Sequence, residues 1–131
     1  MKQQYEAFDQ ECIFRWVKLN EHKYPELSLL YHIPNGGSRN KIEAANLKRQ
    51  GVKAGVPDIC LPVSRGVYHG LYIELKHGKN KLSDLQREWL GWLNEQGYMA
   101  VCIHGWDNAV DFIETYLKMV DEEIVYEEIT E

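Results

Sequence analysis

Cysteine is scarce. Cys12, Cys60 and Cys102 are the three thiols in 131 residues, each inside an apolar stretch and none in a CxxC pair. An odd, scattered set of this kind builds neither a disulfide framework nor a structural zinc site. The five histidines are dispersed, and no spacing among them supports a histidine metal centre. No apolar run approaches the roughly 20 residues of a membrane-spanning helix, and the opening MKQQYEAFDQ lacks the apolar stretch of a signal peptide. These absences leave a reduced, intracellular, soluble chain with no membrane partner, and its length suits one domain.

Basic charge is also short, with 15 Lys and Arg against 20 Asp and Glu and a net charge of −5. Its distribution matters more than its sum. The end, DEEIVYEEITE, holds six acids and no base. Residues 39–87 hold ten Lys or Arg against four acids, a net of +6. A basic centre with an acidic end fits a phosphate-binding face beside a solvated tail, and equally an ordinary soluble surface. The expected division is a domain over residues 1–120 and an acidic tail over 121–131.

Hydrophobic spacing supplies the elements. Tyr5, Phe8, Cys12, Trp16 and Leu19 make one apolar stripe, which predicts a helix over 4–21. LSLLYHI, residues 27–33, reads as a strand, Pro34-Asn35-Gly36-Gly37 as a turn, and 41–50 as a short helix stopped by Gly51. Residues 58–63 and 70–76 read as a hairpin. Ser83 is the expected N-cap of a helix to about Gln96, with Leu85, Trp89, Leu90 and Leu93 inward. A strand over 98–103 and a helix over 107–119, with Val110, Ile113 and Leu117 inward, complete the order α, β, α, β, β, α, β, α. That is an α/β or α+β sandwich.

The hairpin carries the chemistry. Ile59, Leu61, Val63, Leu71, Ile73 and Leu75 share one parity, and Asp58, Glu74 and Lys76 share the other. With the loop centred near Val67, Asp58 faces Lys76 and Glu74 lies on the diagonal. Two carboxylates gathered there suit Mg²⁺, which takes one or two protein carboxylates with water and phosphate oxygens. A lysine held between carboxylates stays charged, and a cation there stabilises charge developing on a phosphate oxygen. The same pattern also describes a surface hairpin with a cross-strand Asp–Lys pair, worth a few tenths of a kcal/mol.

The surrounding strings narrow this. His32-Ile33-Pro34-Asn35-Gly36-Gly37-Ser38-Arg39, Gly51-Val52-Lys53-Ala54-Gly55-Val56-Pro57-Asp58 and Ile73-Glu74-Leu75-Lys76 together resemble the VRR-NUC family, a branch of the PD-(D/E)xK nuclease superfamily. Pro57-Asp58 matches its "PD" and Glu74-Leu75-Lys76 its "ExK", with fifteen residues between Asp58 and Glu74. Ser83-x-x-Gln86 and Gly97-Tyr98 extend the likeness, which covers about residues 5–118 and looks like the stand-alone phage or bacterial form.

The resemblance implies a restriction-endonuclease-like core, a mixed central sheet flanked by helices. It implies a DNA endonuclease dependent on Mg²⁺, with Mn²⁺ as a possible substitute, that leaves 5′-phosphate and 3′-hydroxyl ends inside a bacterial host. Asp58 and Glu74 would bind the metal with the Leu75 carbonyl, and Lys76 would be the catalytic lysine. Gln86 would stand near the metal. A first-helix acid is also implied. Glu11 is preferred because it lies about 100° from the centre of the apolar stripe, against about 120° on the other flank for Glu6. Asn35, Gly36, Gly37 and Arg39 could hold a phosphate, or form only a tight turn. Lys41, Lys48, Lys53, Lys79 and Lys81 would position the backbone of DNA, branched or junctional in form. A homodimer would bring two centres to one DNA, and Tyr24, Leu29, Tyr31, Trp92, Trp106 and Tyr116 offer apolar surface for it. The rival reading is a nucleic-acid-binding or assembly module that keeps the fold without cutting.

Overall fold

The computed structural model describes residues 2–34 and 40–120. Its elements are α1 (Lys2–Asn20), a 3-10 turn (Pro25–Leu29), β1 (Tyr31–His32), α2 (Lys41–Arg49), β2 (Ile59–Leu61), β3 (Leu71–Lys76), α3 (Asp84–Glu95), β4 (Met99–His104) and α4 (Trp106–Leu117). The four strands form one mixed sheet in the order β1-β2-β3-β4, antiparallel except for the β3–β4 pair. The expected element order and the mixed α+β architecture are both present. The acidic tail, 121–131, lies outside the described residues.

One face of the sheet is the core. Ile59, Leu61, Leu71, Ile73, Leu75 and Ile103 are buried there against Ile13 and Val17 of α1 and Ala109, Val110, Ile113, Tyr116 and Leu117 of α4. The Tyr116 hydroxyl donates to the Val63 carbonyl at 2.6 Å, so this ring is a satisfied core residue and not spare surface for a partner. Leu29, Tyr31, Trp92 and Trp106 are exposed, and Tyr24 is half-buried.

Two expectations fail for a shared reason. The stretch from Pro25 buries Leu27 and Leu30 but exposes Leu29. Spacing by three suits the 3-10 turn, in which the Leu30 N–H donates to the Leu27 carbonyl at 3.1 Å, and only Tyr31 and His32 remain as strand. In α1 the side chains turned inward are Asp9, Cys12, Ile13 and Val17, while Tyr5, Phe8 and Leu19 are exposed. The true stripe is rotated about 70° from the one that the aromatic residues suggest. Large apolar side chains at a helix start do not by themselves mark its buried face.

The opposite face is covered by α3. Ser83 caps this helix with a reciprocal box, its Oγ accepting from the Gln86 N–H and its own N–H donating to Gln86 Oε1. Asn94, near the other end, pairs with the free edge of β4. Its Nδ2 donates to the Ala100 carbonyl and its Oδ1 accepts from the Ala100 N–H, both at 3.0 Å. Of the expected inward residues of α3, Leu90 is buried, Trp89 and Leu93 are half-buried and Leu85 is exposed. Leu85 and Trp89 still close on Gly55, where a Cβ would meet them at 2.7 and 2.8 Å with the backbone at φ +88°. Only glycine fits this turn into Asp58.

Candidate active site

The register places the acidic pair. Ile59 lies opposite Ile73, so Asp58, one step before β2, faces Glu74. This corrects the expected Asp58–Lys76 pairing. The β2–β3 connection centres on Gly66, one residue before the expected Val67, and within it Arg65 and Tyr68 pair with each other outside the strands. In β3 and β4, Glu74 lies beside Cys102 and Lys76 beside His104.

A second correction concerns burial. The expected polar face is not open to water: Glu74 is 3% and Lys76 8% exposed, and Asp58 is half-buried. Asp58 Oδ2 accepts the Leu75 N–H at 2.8 Å, which continues the sheet ladder with a side chain after the β2 backbone has diverged. The Asp58 carbonyl accepts from the Ile33 N–H at 2.7 Å and lies 2.9 Å from His32 Nδ1. Lys76 Nζ stands 3.8 Å from Glu74 Oε2. The capping glutamine reaches the same oxygen, with Gln86 Nε2 3.4 Å from Glu74 Oε2. Asp58, Glu74, Leu75, Lys76 and Gln86 are thus brought together as the sequence implied.

Electrostatics follow from this crowding. Burial, then the Asp58 charge and a hydrogen bond with Asp58, push the Glu74 carboxyl up to about 9, although Lys76 opposes the shift. A buried acid in contact with a half-buried one is held there by a proton or a cation between them. As donors they are hard oxygens of the kind Mg²⁺ takes. Among the described residues no three His, Cys, Asp or Glu side chains converge as a ligand set. A cation here would therefore rest on two carboxylates supplemented by backbone oxygen and solvent. The residues fit that role.

The first-helix acid is Glu6. Its carboxyl is raised chiefly by burial and feels Lys76, Asp58, His77 and Asp9. Glu11 is exposed and lines a shallow groove with Phe14, Arg15 and Lys18. The rotation of the α1 stripe explains the exchange, since it brings Glu6 to about 50° from the buried centre and takes Glu11 to about 170°. Sequence reasoning also passed over Asp9, a buried carboxylate one turn before Ile13. A carboxylate three and four residues before two helix positions that the core takes, Cys12 and Ile13, was the available signal.

Apart from Lys76, the described lysines of the basic segment lie on α2 and on the connections that flank the site strands. Ile33 and Asp58 are hydrogen-bonded, so the chain leaves the sheet and re-enters it at the site, with α2 carried on the intervening arm. No residue of α2 is buried, and Lys41, Lys48 and Lys53 are exposed. Lys79 and Lys81 are exposed in the connection from β3 to α3. Asn35, Gly36, Gly37 and Arg39 lie outside the described residues.

Comparison with known proteins bears on the family and the fold. The family model for the VRR-NUC domain matches residues 4–107. A solved structure described as a "VRR_NUC domain protein" is 37% identical, with a TM-score of 0.77 over 89% of this chain and 91% of its own. No curated protein matches the chain.

Proposed function

The chain belongs to the VRR-NUC domain family, whose activity is of the nuclease type, and from that premise we propose that it is a Mg²⁺-dependent DNA endonuclease selective for branched or junction DNA. The observation that carries this reading is the contact between the half-buried Asp58 carboxyl and the buried Glu74 carboxyl beside a buried lysine. Asp58, Glu74 and the Leu75 carbonyl would hold Mg²⁺, or Mn²⁺ in its place, with Glu6 near them. Bound there, the ion supplies Lewis acidity that neutralises the phosphodiester and acidifies water.

The chain's own residues do the rest. Lys76, an ammonium fixed at the strand end, stabilises the charge that develops on the phosphate oxygens. Gln86 orients the Glu74 carboxylate from the cap of α3, so that carboxylate is pre-set and not free to rotate. Water attacks in line and leaves 5′-phosphate and 3′-hydroxyl ends. Among the described residues no helix is long and apolar enough to cross a membrane.

Lys41, Lys48, Lys53, Lys79 and Lys81, with Asn35, Gly36, Gly37 and Arg39, hold the DNA backbone. Binding through them releases counterions, so affinity is expected to fall steeply with salt for any sequence. A Lys48→Glu, Lys53→Glu double variant should weaken binding about equally on all DNAs and flatten the salt slope. An affinity that does not respond to salt would exclude this face.

One domain holds one centre, so paired cuts require a second copy. The exposed Leu29, Tyr31, Trp92 and Trp106 are the apolar surface offered to it. Light scattering is expected to give twice the 15.3 kDa chain mass, and a monomer both free and with junction DNA would rule the dimer out. The function itself is tested with labelled junction, flap, nicked and linear DNAs in Mg²⁺, Mn²⁺ or EDTA. Cleavage in either ion, fastest on branched DNA, is expected. Binding without cleavage would favour the non-cutting module instead.

A further inference from the structure

From Tyr5 to Phe8 nothing apolar of α1 is buried, and the core contacts of the helix begin at Cys12 and Ile13. Yet Glu6, in this stretch, must reach over the end of the sheet to face Lys76 and Asp58. Among the described residues, what grips the segment is one imidazole. His77 follows Lys76 directly and so leaves β3 on the α1 side of the sheet. The Tyr5 ring stacks on it with centroids 4.7 Å apart and planes 14° from parallel. Asp9, one helical turn further on, places Oδ2 2.8 Å from His77 Nδ1. Glu6 lies between the two contacts in sequence.

The Asp9 carboxylate is 4% exposed, and among the described residues His77 is its one hydrogen-bonding side chain. Burying a carboxylate in place of an apolar residue is costly and contributes specificity of placement rather than stability. A ring held by a stack on one face and a hydrogen bond at its edge has neither rotation nor slide left. Helix α1 is then fixed in both azimuth and height against the end of β3.

We propose that Tyr5, His77 and Asp9 form a clamp that docks the start of α1 on the end of β3 and thereby sets Glu6 beside Lys76 and Asp58. The three are positioning residues that act through Glu6. This inference rests on the metal-dependent nuclease reading for its consequence, and on the geometry alone for the clamp.

The experiment compares wild type, His77→Ala, His77→Asn, Glu6→Ala and the Glu6→Ala, His77→Ala double variant. Three quantities are read: cleavage rate at saturating Mg²⁺, calorimetric Mg²⁺ affinity, and amide hydrogen exchange along α1. His77→Ala is expected to lose about ten- to a hundredfold in rate and Mg²⁺ affinity, the usual span for a residue that orients a ligand. His77→Asn, whose amide N–H can replace Nδ1–H toward Asp9, should recover most of that loss. In the Glu6→Ala background His77→Ala should cost nothing further, because its effect passes through Glu6. Exchange of the amides of residues 6–9 should accelerate in metal-free His77→Ala while those beyond Ile13 do not change. Equal losses in the two backgrounds, or unchanged exchange at 6–9, would overturn the clamp. If His77→Ala does not fold, Tyr5→Leu, which removes only the stack, carries the same expectations. A wild type that binds no Mg²⁺ and cuts no DNA would overturn the nuclease reading, and the exchange measurement separates that outcome from failure of the clamp.

Discussion

Between pH 6 and pH 8 the affinity of the protein for Mg²⁺ is expected to rise about a hundredfold, because each ion must displace a proton. The proton is the one held by Glu74, whose carboxyl is raised to about 9 by burial and by the adjoining Asp58. Below that value each pH unit weakens binding by up to about tenfold. Calorimetric titration in two buffers of different ionisation enthalpy would count close to one proton released per ion at neutral pH. The metal-free fold responds in the opposite sense. Its Glu74 binds a proton more tightly than the unfolded chain does, with 4.5 as the ordinary value. That contribution to stability is therefore complete below about pH 4.5 and is lost as the pH rises through about 9. Mg²⁺ should raise the melting temperature most at the alkaline end. An affinity that is flat from pH 6 to pH 8 would mean that the ion does not meet Glu74.

Glu74→Gln is expected to abolish cleavage, with a loss of about a thousandfold or more, while leaving the metal-free protein at least as stable as wild type. An amide has the shape of the protonated carboxyl and does not repel Asp58. Few substitutions at a buried carboxyl are benign, and this combination is diagnostic. Lys76→Met behaves in a related way, since it fills similar volume and removes a buried charge whose desolvation is costly. Its expected loss in rate is about a hundred- to a thousandfold. Asp58→Asn can keep the acceptor for the Leu75 N–H, whereas Asp58→Ala orphans that group and costs about 1–3 kcal/mol. Activity lost in the alanine variant alone would reflect the fold. The helix acids give a paired comparison: Glu6→Gln should lower the rate at least tenfold more than Glu11→Gln, and the reverse order would return the role to Glu11. Rates and thermal midpoints measured together decide each case.

The legible part of the site was the part governed by backbone period. A strand repeats every two residues, so the shared parity of Asp58, Glu74 and Lys76 followed from counting, as did the capping spacing of Ser83 and Gln86. Register did not follow, because it depends on where the turn closes. That point is Gly66, inside the separate Arg65–Tyr68 pairing. Burial of the acidic face did not follow either. It depends on α3 lying across β3 and β4, which the local sequence of the hairpin does not encode. The choice between Glu6 and Glu11 turned on helix azimuth. Tyr5 and Phe8 looked like core and pulled the wheel round, whereas Tyr5 is engaged with His77 and Phe8 faces solvent.

The central claim is that Asp58, Glu74 and Lys76 form one metal-dependent phosphodiesterase centre, and its most direct test is a single gel. A labelled four-way junction is incubated with wild type in Mg²⁺, with wild type in EDTA, and with Lys76→Met in Mg²⁺. The account predicts fragments with 5′-phosphate ends in the first lane and intact junction in the other two. Cleavage that persists in EDTA, or that is as fast with Lys76→Met as with wild type, would contradict it.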